Sequence, residues 1–351
     1  MRLRAIEDHF GSLLQAWQAP PEAFLSLPGL GPAWLRQLQR FRAHWGAEPL
    51  AAFSAAVAGG RRALLPGDPT YPAAVASLER PALALRWRGQ GSLWPLLARR
   101  AAVAVVGTRR PSRHGLAMAE ALGAALATAG WPVVSGLAEG IDAAAHRGCL
   151  AERGRPVAVL GTPLERVYPR HHTQLQRQVG ERGLLVSEHP PGASVRPGHF
   201  AARNRLQVAL VRAVVVVECP EQSGALQSAG LAWQQQLPLW VVPADAARLS
   251  ARGSNRLLSQ GATPLLEPAD LIRQLGAAPL APRAGSLPCG SAAAPLAGVE
   301  GALLAALAEG ASLEQLCQLT QESAPQIAAR LLALELAGLV RAEPGLRWRR
   351  L

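Results

Sequence analysis

The chain contains no lysine: all 36 of its basic residues are arginine. A coding bias toward arginine accounts for that absence. It does not account for the surplus over 24 acidic residues, which leaves a formal net charge of +12 across 351 residues. An excess of this size favours a polyanionic partner and says nothing of fold. Cysteine is sparse as well. Cys149, Cys219, Cys289 and Cys317 stand far apart, with no C-x-x-C pair and no histidine at ligand spacing, which excludes a zinc site and a disulfide framework and indicates a reducing compartment. No stretch of about 18 uninterrupted apolar residues could span a bilayer, and the first eight residues lack the apolar core of a signal peptide. The sequence therefore reads as a soluble, cytoplasmic protein.

Also missing is the dinucleotide fingerprint, which needs G-x-G-x-x-G and an acid about 20 residues further on. After Gly107 the next glycine is Gly115, and only Glu120 follows before Gly130. What is present is a pair of strand–turn–helix units. The run from Ala101 to Val106 ends in Gly107-Thr108-Arg109-Arg110, and Pro132-Val133-Val134 ends in Ser135-Gly136-Leu137-Ala138-Glu139-Gly140-Ile141-Asp142. Helix starts of this kind point backbone N–H groups at an anion, and glycine lets a phosphate approach. The glycines alone are equally explained as tight turns; the adjacent guanidinium groups of Arg109 and Arg110 tilt the reading toward phosphate.

Residues 1–62 read as a small module of short helices broken by Leu27-Pro28-Gly29-Leu30-Gly31-Pro32, either a helix-hairpin-helix that could hold a DNA phosphate or a plain helical hairpin. Residues 63–276 alternate apolar strand runs with helices, among them Val157–Leu160, Leu184–Ser187, Val214–Val217 and Leu239–Val242, which argues an α/β domain with a parallel sheet buried on both faces. Gly107, Gly136, Gly161, Glu188 and Glu218 fall just past strand ends, where such sheets bind ligands. Residues 277–298, rich in Ala, Pro, Gly and Ser, read as a flexible linker that uncouples the last module from the central domain. In 299–351, Ser312 and Ser323 each precede a glutamine at capping-box spacing, and two arginine-bearing strands flank Glu343-Pro344-Gly345, giving helix-turn-helix plus wing. The second helix, from Ala324 to Ala337, carries only Arg330 and Glu335, so it suits a protein contact better than a major groove.

These pieces in this order resemble the DNA-processing protein A (DprA/Smf) family. The resemblance rests on Tyr71-Pro72, Gly107-Thr108-Arg109, the Ser135–Asp142 run with Ala145-His146, Tyr168-Pro169, Ser187-Glu188-His189-Pro190-Pro191-Gly192, Phe200 with Arg203-Asn204-Arg205, Glu218, Ser223-Gly224 and Gly253-Ser254-Asn255. It implies an extended Rossmann-like domain that binds single-stranded DNA as a homodimer and loads the RecA recombinase in natural transformation, with no cofactor, no metal and no catalysed reaction. The DNA-binding residues it implies are Gly107, Thr108, Arg109, Gly136, Phe200, Arg203, Asn204, Arg205, Ser223 and Gly224. Arginine clamping phosphate beside a phenylalanine that can stack on a base is a sequence-tolerant combination.

The chain departs from the family pattern at Ala201-Ala202, at Ala225-Leu226-Gln227-Ser228, at Ala244 and at His171-His172. The alternative is a nucleotide-processing enzyme on a related fold, such as the lysine-decarboxylase-like phosphoribohydrolases. That reading needs a carboxylate near the sugar. The helix after Ser223-Gly224 offers none, which leaves Glu188 and Glu218 as its candidates. His146 reads as a satisfied packing or interface histidine, Asp142 as a dipole-complementing or backbone-bonding residue, and Trp87, Trp94 and Trp131 as core.

Overall fold

The computed structural model describes residues 2–46, 62–280, 303, 306–308, 310–336, 339–343 and 346–350. Two compact units emerge, Met1–Arg61 and Arg62–Leu351. Most of the expected linker, from 281 onward, lies outside the described residues, as does Cys289.

Among its described residues the first unit holds three helices, α1 (Arg2–Phe10), α2 (Leu13–Gln18) and α3 (Pro32–Trp45), with a short 3-10 turn at Pro21–Ser26. Ile6, Ala16, Phe24 and Leu30 form its core. Gly31 precedes α3 and Pro32 opens it, a position where the missing proline N–H would have no intrahelical partner anyway.

The larger part of the second unit is built, among the described residues, on a nine-stranded sheet and its crossover helices. In chain order they are β1 (Ala63–Leu64), α4 (Ala73–Ala76), β2 (Leu85–Gly89), α5 (Trp94–Ala98), β3 (Val103–Val106), α6 (Arg113–Ala129), β4 (Val133–Ser135), α7 (Ile141–Ala151), β5 (Pro156–Leu160), α8 (Thr173–Arg182), β6 (Leu184–Ser187), α9 (Pro197–Ala209), β7 (Ala213–Val216), α10 (Gly224–Gln234), β8 (Leu239–Val241), α11 (Arg252–Ser259), β9 (Thr263–Pro264) and α12 (Pro268–Leu275). The sheet order is β1-β2-β6-β5-β4-β3-β7-β8-β9. From β6 to β9 every pairing is parallel, as the β-branched runs predict. The strand pair β1–β2 adds to the β6 edge in antiparallel sense, a feature the hydrophobic pattern does not announce.

Alternation along each strand divides the core between two faces. Ala104, Val106, Val214 and Val216 pack with Leu206 of α9 and with Ala225 and Ala229 of α10. Val103, Val105 and Val215 pack on the opposite face with Leu122 and Leu126 of α6 and with Ile141 and Ala145 of α7. Trp87, Trp94 and Trp131 are all buried, as expected of core tryptophans. Helices α6 and α7 cross backbone to backbone: a Cβ on Gly148 would fall on the Glu120 carbonyl oxygen, and one on Gly123 on that of Ala145.

The carboxyl-terminal module folds as β10 (Ala311–Ser312), α13 (Leu313–Thr320), α14 (Ala324–Leu336), β11 (Val340–Glu343) and β12 (Arg347–Arg350), with sheet order β10-β12-β11. The Ser312 capping box forms: Ser312 Oγ accepts from Gln315 N, and Ser312 N donates to Gln315 Oε1. At Ser323 the backbone N–H and the hydroxyl both donate to Gln326 Oε1. The composition of the linker predicts an independent module, but the module is docked. Its Leu331, Val340 and Trp348 share one continuous apolar cluster with Leu93, Trp94 and Leu97, and Ser92 Oγ donates to Glu335 Oε2 at 2.9 Å. Helix α14 thus packs against its own chain through Leu331 and Glu335.

Two glycine-to-alanine changes are expected to act with opposite signs. Gly230 of α10 has none of the described residues within 4 Å of a Cβ, so Gly230→Ala gains about 0.5–1 kcal/mol from helix propensity. Gly148→Ala forces α6 from α7 and loses about 1–3 kcal/mol through overpacking despite the same propensity gain. Denaturant midpoints of the two variants check this directly.

Candidate functional site

From β3 the chain passes outward through β4 and β5 to β6, then crosses back to place β7 on the other side of β3. Such a reversal leaves a crevice at the carboxyl ends of the two central strands, where open α/β sheets take their ligands. A cleft of about 620 Å³ opens there. It is lined by Gly107, Thr108 and Arg109 after β3, by Phe200, Arg203 and Asn204 of α9, and by Ser223 and Gly224 at the start of α10. Gly136, past the end of β4, lines an adjoining slot with Arg109 and Phe200. Arg205 lines neither. A separate cavity of about 630 Å³ beneath the carboxyl-terminal module contains none of these residues.

The four arginines around this cleft play different parts. Arg109 and Arg110 are exposed, and the Arg109 guanidinium lies over the Phe200 ring, 5.6 Å from its centroid. Arg203, by contrast, is only 4% exposed. Its Nη1 donates to the carbonyls of Gly136 (2.7 Å) and Val159, and its Nε donates to Asn204 Oδ1. A Cβ on Gly136 would collide with this guanidinium, which explains why that turn is glycine. Arg205 is held by Glu188 in a bidentate pair of 2.8 and 2.7 Å and also donates to the Arg80 carbonyl. Its charge is therefore matched within the protein.

The turn expected to present amides to a ligand is occupied from inside. Asp142 Oδ2 accepts the N–H groups of Gly136 and Ala138 and stands 4.0 Å from Arg203 Nη2. Burial pushes the Asp142 carboxyl up, and Arg203 pulls it back down. At the start of α6 the buried Glu218 carboxylate accepts from Ser112 N, from Ser112 Oγ at 2.7 Å and from Ser250 Oγ at 2.5 Å. A helix N-terminus attracts whatever anion is nearest, and here the protein supplies its own. The Arg109 and Arg110 side chains and the Ser223–Gly224 start of α10 line the cleft without an internal carboxylate of this kind among the described residues.

The same contacts bear on the two acids that enzymatic glycoside chemistry would need. Glu188 is clamped by Arg205, Glu218 is triply hydrogen-bonded, and α10 carries no acid at all. Leu249 and Ser250 also line the cleft, though nothing local in the sequence marks them. They arrive from the loop after β8 through the Ser250–Glu218 bond, a long-range contact with no sequence periodicity.

His146 is fully buried, but neither ring nitrogen has a hydrogen-bond partner among the described residues, so it is not the satisfied histidine expected. Burial, then the charge of Arg203 and the neighbouring His172, lower its pKa to about 3. His172 Nδ1 meets the Leu137 carbonyl at 2.9 Å, and His171 pairs with Glu139 at 3.4 Å. Among the described residues no group of three or more His, Cys, Asp or Glu could hold a metal, and no helix is long and apolar enough to cross a membrane.

Comparison with known proteins brings the geometry into a family context. The model of the DNA recombination-mediator protein A family matches residues 62–276, and that of the DprA winged helix domain matches 288–345. The chain is 32% identical to Protein Smf of Synechocystis over 377 residues, covering 99% of this chain and 94% of that protein. It is 32% identical to the DNA processing protein DprA of Bacillus subtilis over 58% of this chain and 68% of the relative. Among solved structures, DNA processing protein A from Streptococcus pneumoniae superposes with a TM-score of 0.64 at 25% identity, over 78% of this chain and 92% of that one. The Helicobacter pylori DNA processing protein A structure, which describes a single-stranded DNA binding mode, gives 0.54 at 30% identity over 61% and 95%.

The unpartnered histidine has a measurable consequence. Unfolded, His146 takes a proton near pH 6.5; folded, it does so only near 3. Its contribution to stability is therefore complete above pH 6.5 and is lost as pH falls toward 3. Burial also lowers the His172 and His189 pKa values, so they act with the same sign. Asp142, whose carboxyl is raised, acts with the opposite one. His146→Leu is expected to flatten the loss of stability between pH 6.5 and 4.5, measured as denaturant midpoints against the parent protein.

Proposed function

Because the chain belongs to the DNA recombination-mediator protein A family, we propose that its central domain binds single-stranded DNA in the cleft between β3 and β7 and delivers that strand to the RecA recombinase during natural transformation. The observation that carries this reading is the composition of the cleft. Exposed Arg109 and Arg110 line it together with the Phe200 ring, which the Arg109 guanidinium covers, and the start of α10, at the topological reversal of the sheet. Guanidinium forks hold phosphates, and a ring stacks on a base of any identity. Arg203 and Asn204 act from beneath: they fix the Gly136 turn and the Gly224 carbonyl that frame the cleft. Arg205 stabilises the flank through Glu188. The Helicobacter pylori relative, whose structure describes single-stranded DNA binding, supports the same ligand class. The protein works as a homodimer in the cytoplasm, without cofactor, metal or catalysed reaction.

Binding should favour single strands over duplex with little base preference and should weaken steeply with salt, since each neutralised phosphate releases counterions. Fluorescence anisotropy of labelled 20- to 30-nucleotide strands and duplexes at several salt concentrations is the test. Tighter binding of duplex, or an affinity indifferent to salt, overturns the proposal.

Arg109→Ala is expected to weaken strand binding by about 1–3 kcal/mol, as for a charge-assisted contact, and to reduce the salt slope by about one unit. Arg113→Ala, on the exposed first turn of α6, changes it little. Arg203→Ala instead lowers thermal stability, because the Gly136 and Val159 carbonyls lose their partner. Equal binding losses for Arg109 and Arg113 would mean a diffuse positive surface rather than a built site.

A further inference from the structure

The ring assigned to base stacking is already covered. Phe200 lies against the backbone of Gly161 at the end of β5, where an added Cβ would come within 2.9 Å of Cδ1. The Arg109 guanidinium sits over the ring, and the Tyr168 ring leans against it, 4.8 Å between centroids and tilted by 44°. A base cannot stack on Phe200 until Arg109 moves. Tyr168 is different: it is 46% exposed and lines the slot formed with Arg109, Gly136, Glu139 and Phe200, directly beside the crossover cleft. A half-exposed aromatic that touches a second aromatic, with an exposed guanidinium alongside, has the composition of a single-strand stacking track.

We propose that Tyr168 is the outer platform of a two-ring track, an inference that rests on the single-strand reading of the cleft. One base stacks on the open face of Tyr168. Arg109 leaves Phe200 for the adjacent phosphate, and the uncovered Phe200 takes the next base. Arg109 then has two alternative partners: the face of Phe200 when the cleft is empty, and a phosphate when it is filled. The exchange keeps the guanidinium paired throughout, and it couples phosphate capture to exposure of the second ring. Glu139, on the rim of the same slot and paired with His171, repels phosphate from the slot itself and so favours a base there over the backbone.

The test uses the full-length protein and compares Tyr168→Leu with Tyr168→Phe on a normal strand and on strands with single abasic positions. Tyr168→Leu should weaken the normal strand about tenfold, within the range for one stacked base, with its salt slope unchanged because no phosphate contact is lost. Tyr168→Phe keeps the stacking face and should bind like the parent. On a strand whose abasic position removes the stacked base, Leu and parent should converge. A strand carrying 5-iododeoxyuridine should photocrosslink to Tyr168 in the parent protein. Three results overturn the inference while leaving the single-strand reading intact: parent-like binding by Tyr168→Leu, an equal loss on every abasic strand, or a loss that follows a change in oligomeric state by sedimentation. Absence of single-strand binding by the parent itself overturns both.

Discussion

The carboxyl end of the sheet is organised by one buried charge, the Arg203 guanidinium. It reaches from α9 to the carbonyls of Gly136 and Val159, so one side chain ties the turn after β4 to β5 and the helix above them. Asp142 holds the same turn by its amides. Donor and acceptor groups of one loop are thus both satisfied from within. Burying such a pair is expensive unless each lone pair and each N–H finds a partner. The backbone contacts on both sides meet that condition. They also explain why position 136 can only be glycine, since the guanidinium fills the place of a Cβ.

A second internal anion works in parallel. Glu218 lies just past β7 and reaches the start of α6 through Ser112 and the loop after β8 through Ser250. The two central strands of the sheet are thus linked at their carboxyl ends by a carboxylate, and the cleft between them has fixed walls. Around that frame stand Arg109 and Arg110, the Ser223–Gly224 start of α10, and the contacting rings of Phe200 and Tyr168, with the Arg109 guanidinium over Phe200.

The carboxyl-terminal module sits away from that cleft, docked through an apolar cluster that includes Trp94 and Trp348 and through the Ser92–Glu335 hydrogen bond. The Glu335 carboxyl is raised by burial and drawn down again by Ser92, the Ala342 amide and Arg62. A winged helix reads duplex DNA with its second helix, and here that helix is partly occupied with its own protein.

The sequence by itself determined the fold class, because β-branched runs such as Val103–Val106 and Val214–Val217 can be buried on both faces only in a parallel sheet with helices above and below. The strand-end turns were legible for the same local reason: glycine and arginine stand at fixed offsets after each run. It also placed Asp142 as a backbone-bonding group, Trp94 as core and Ser312 as a helix cap, all short-range roles. Tertiary structure alone decided which arginines face solvent. Arg109, Arg203 and Arg205 are chemically identical in the sequence, yet one lies exposed over a ring, one is sealed among carbonyls and one is paired with Glu188. Burial and partnership depend on contacts between residues far apart in the chain, 44 positions for Arg203 to Val159 and 106 for Ser112 to Glu218, and no local pattern encodes them. The docking of the last module has the same origin: composition describes a linker's stiffness, but only the meeting of two apolar surfaces determines where the module it carries comes to rest.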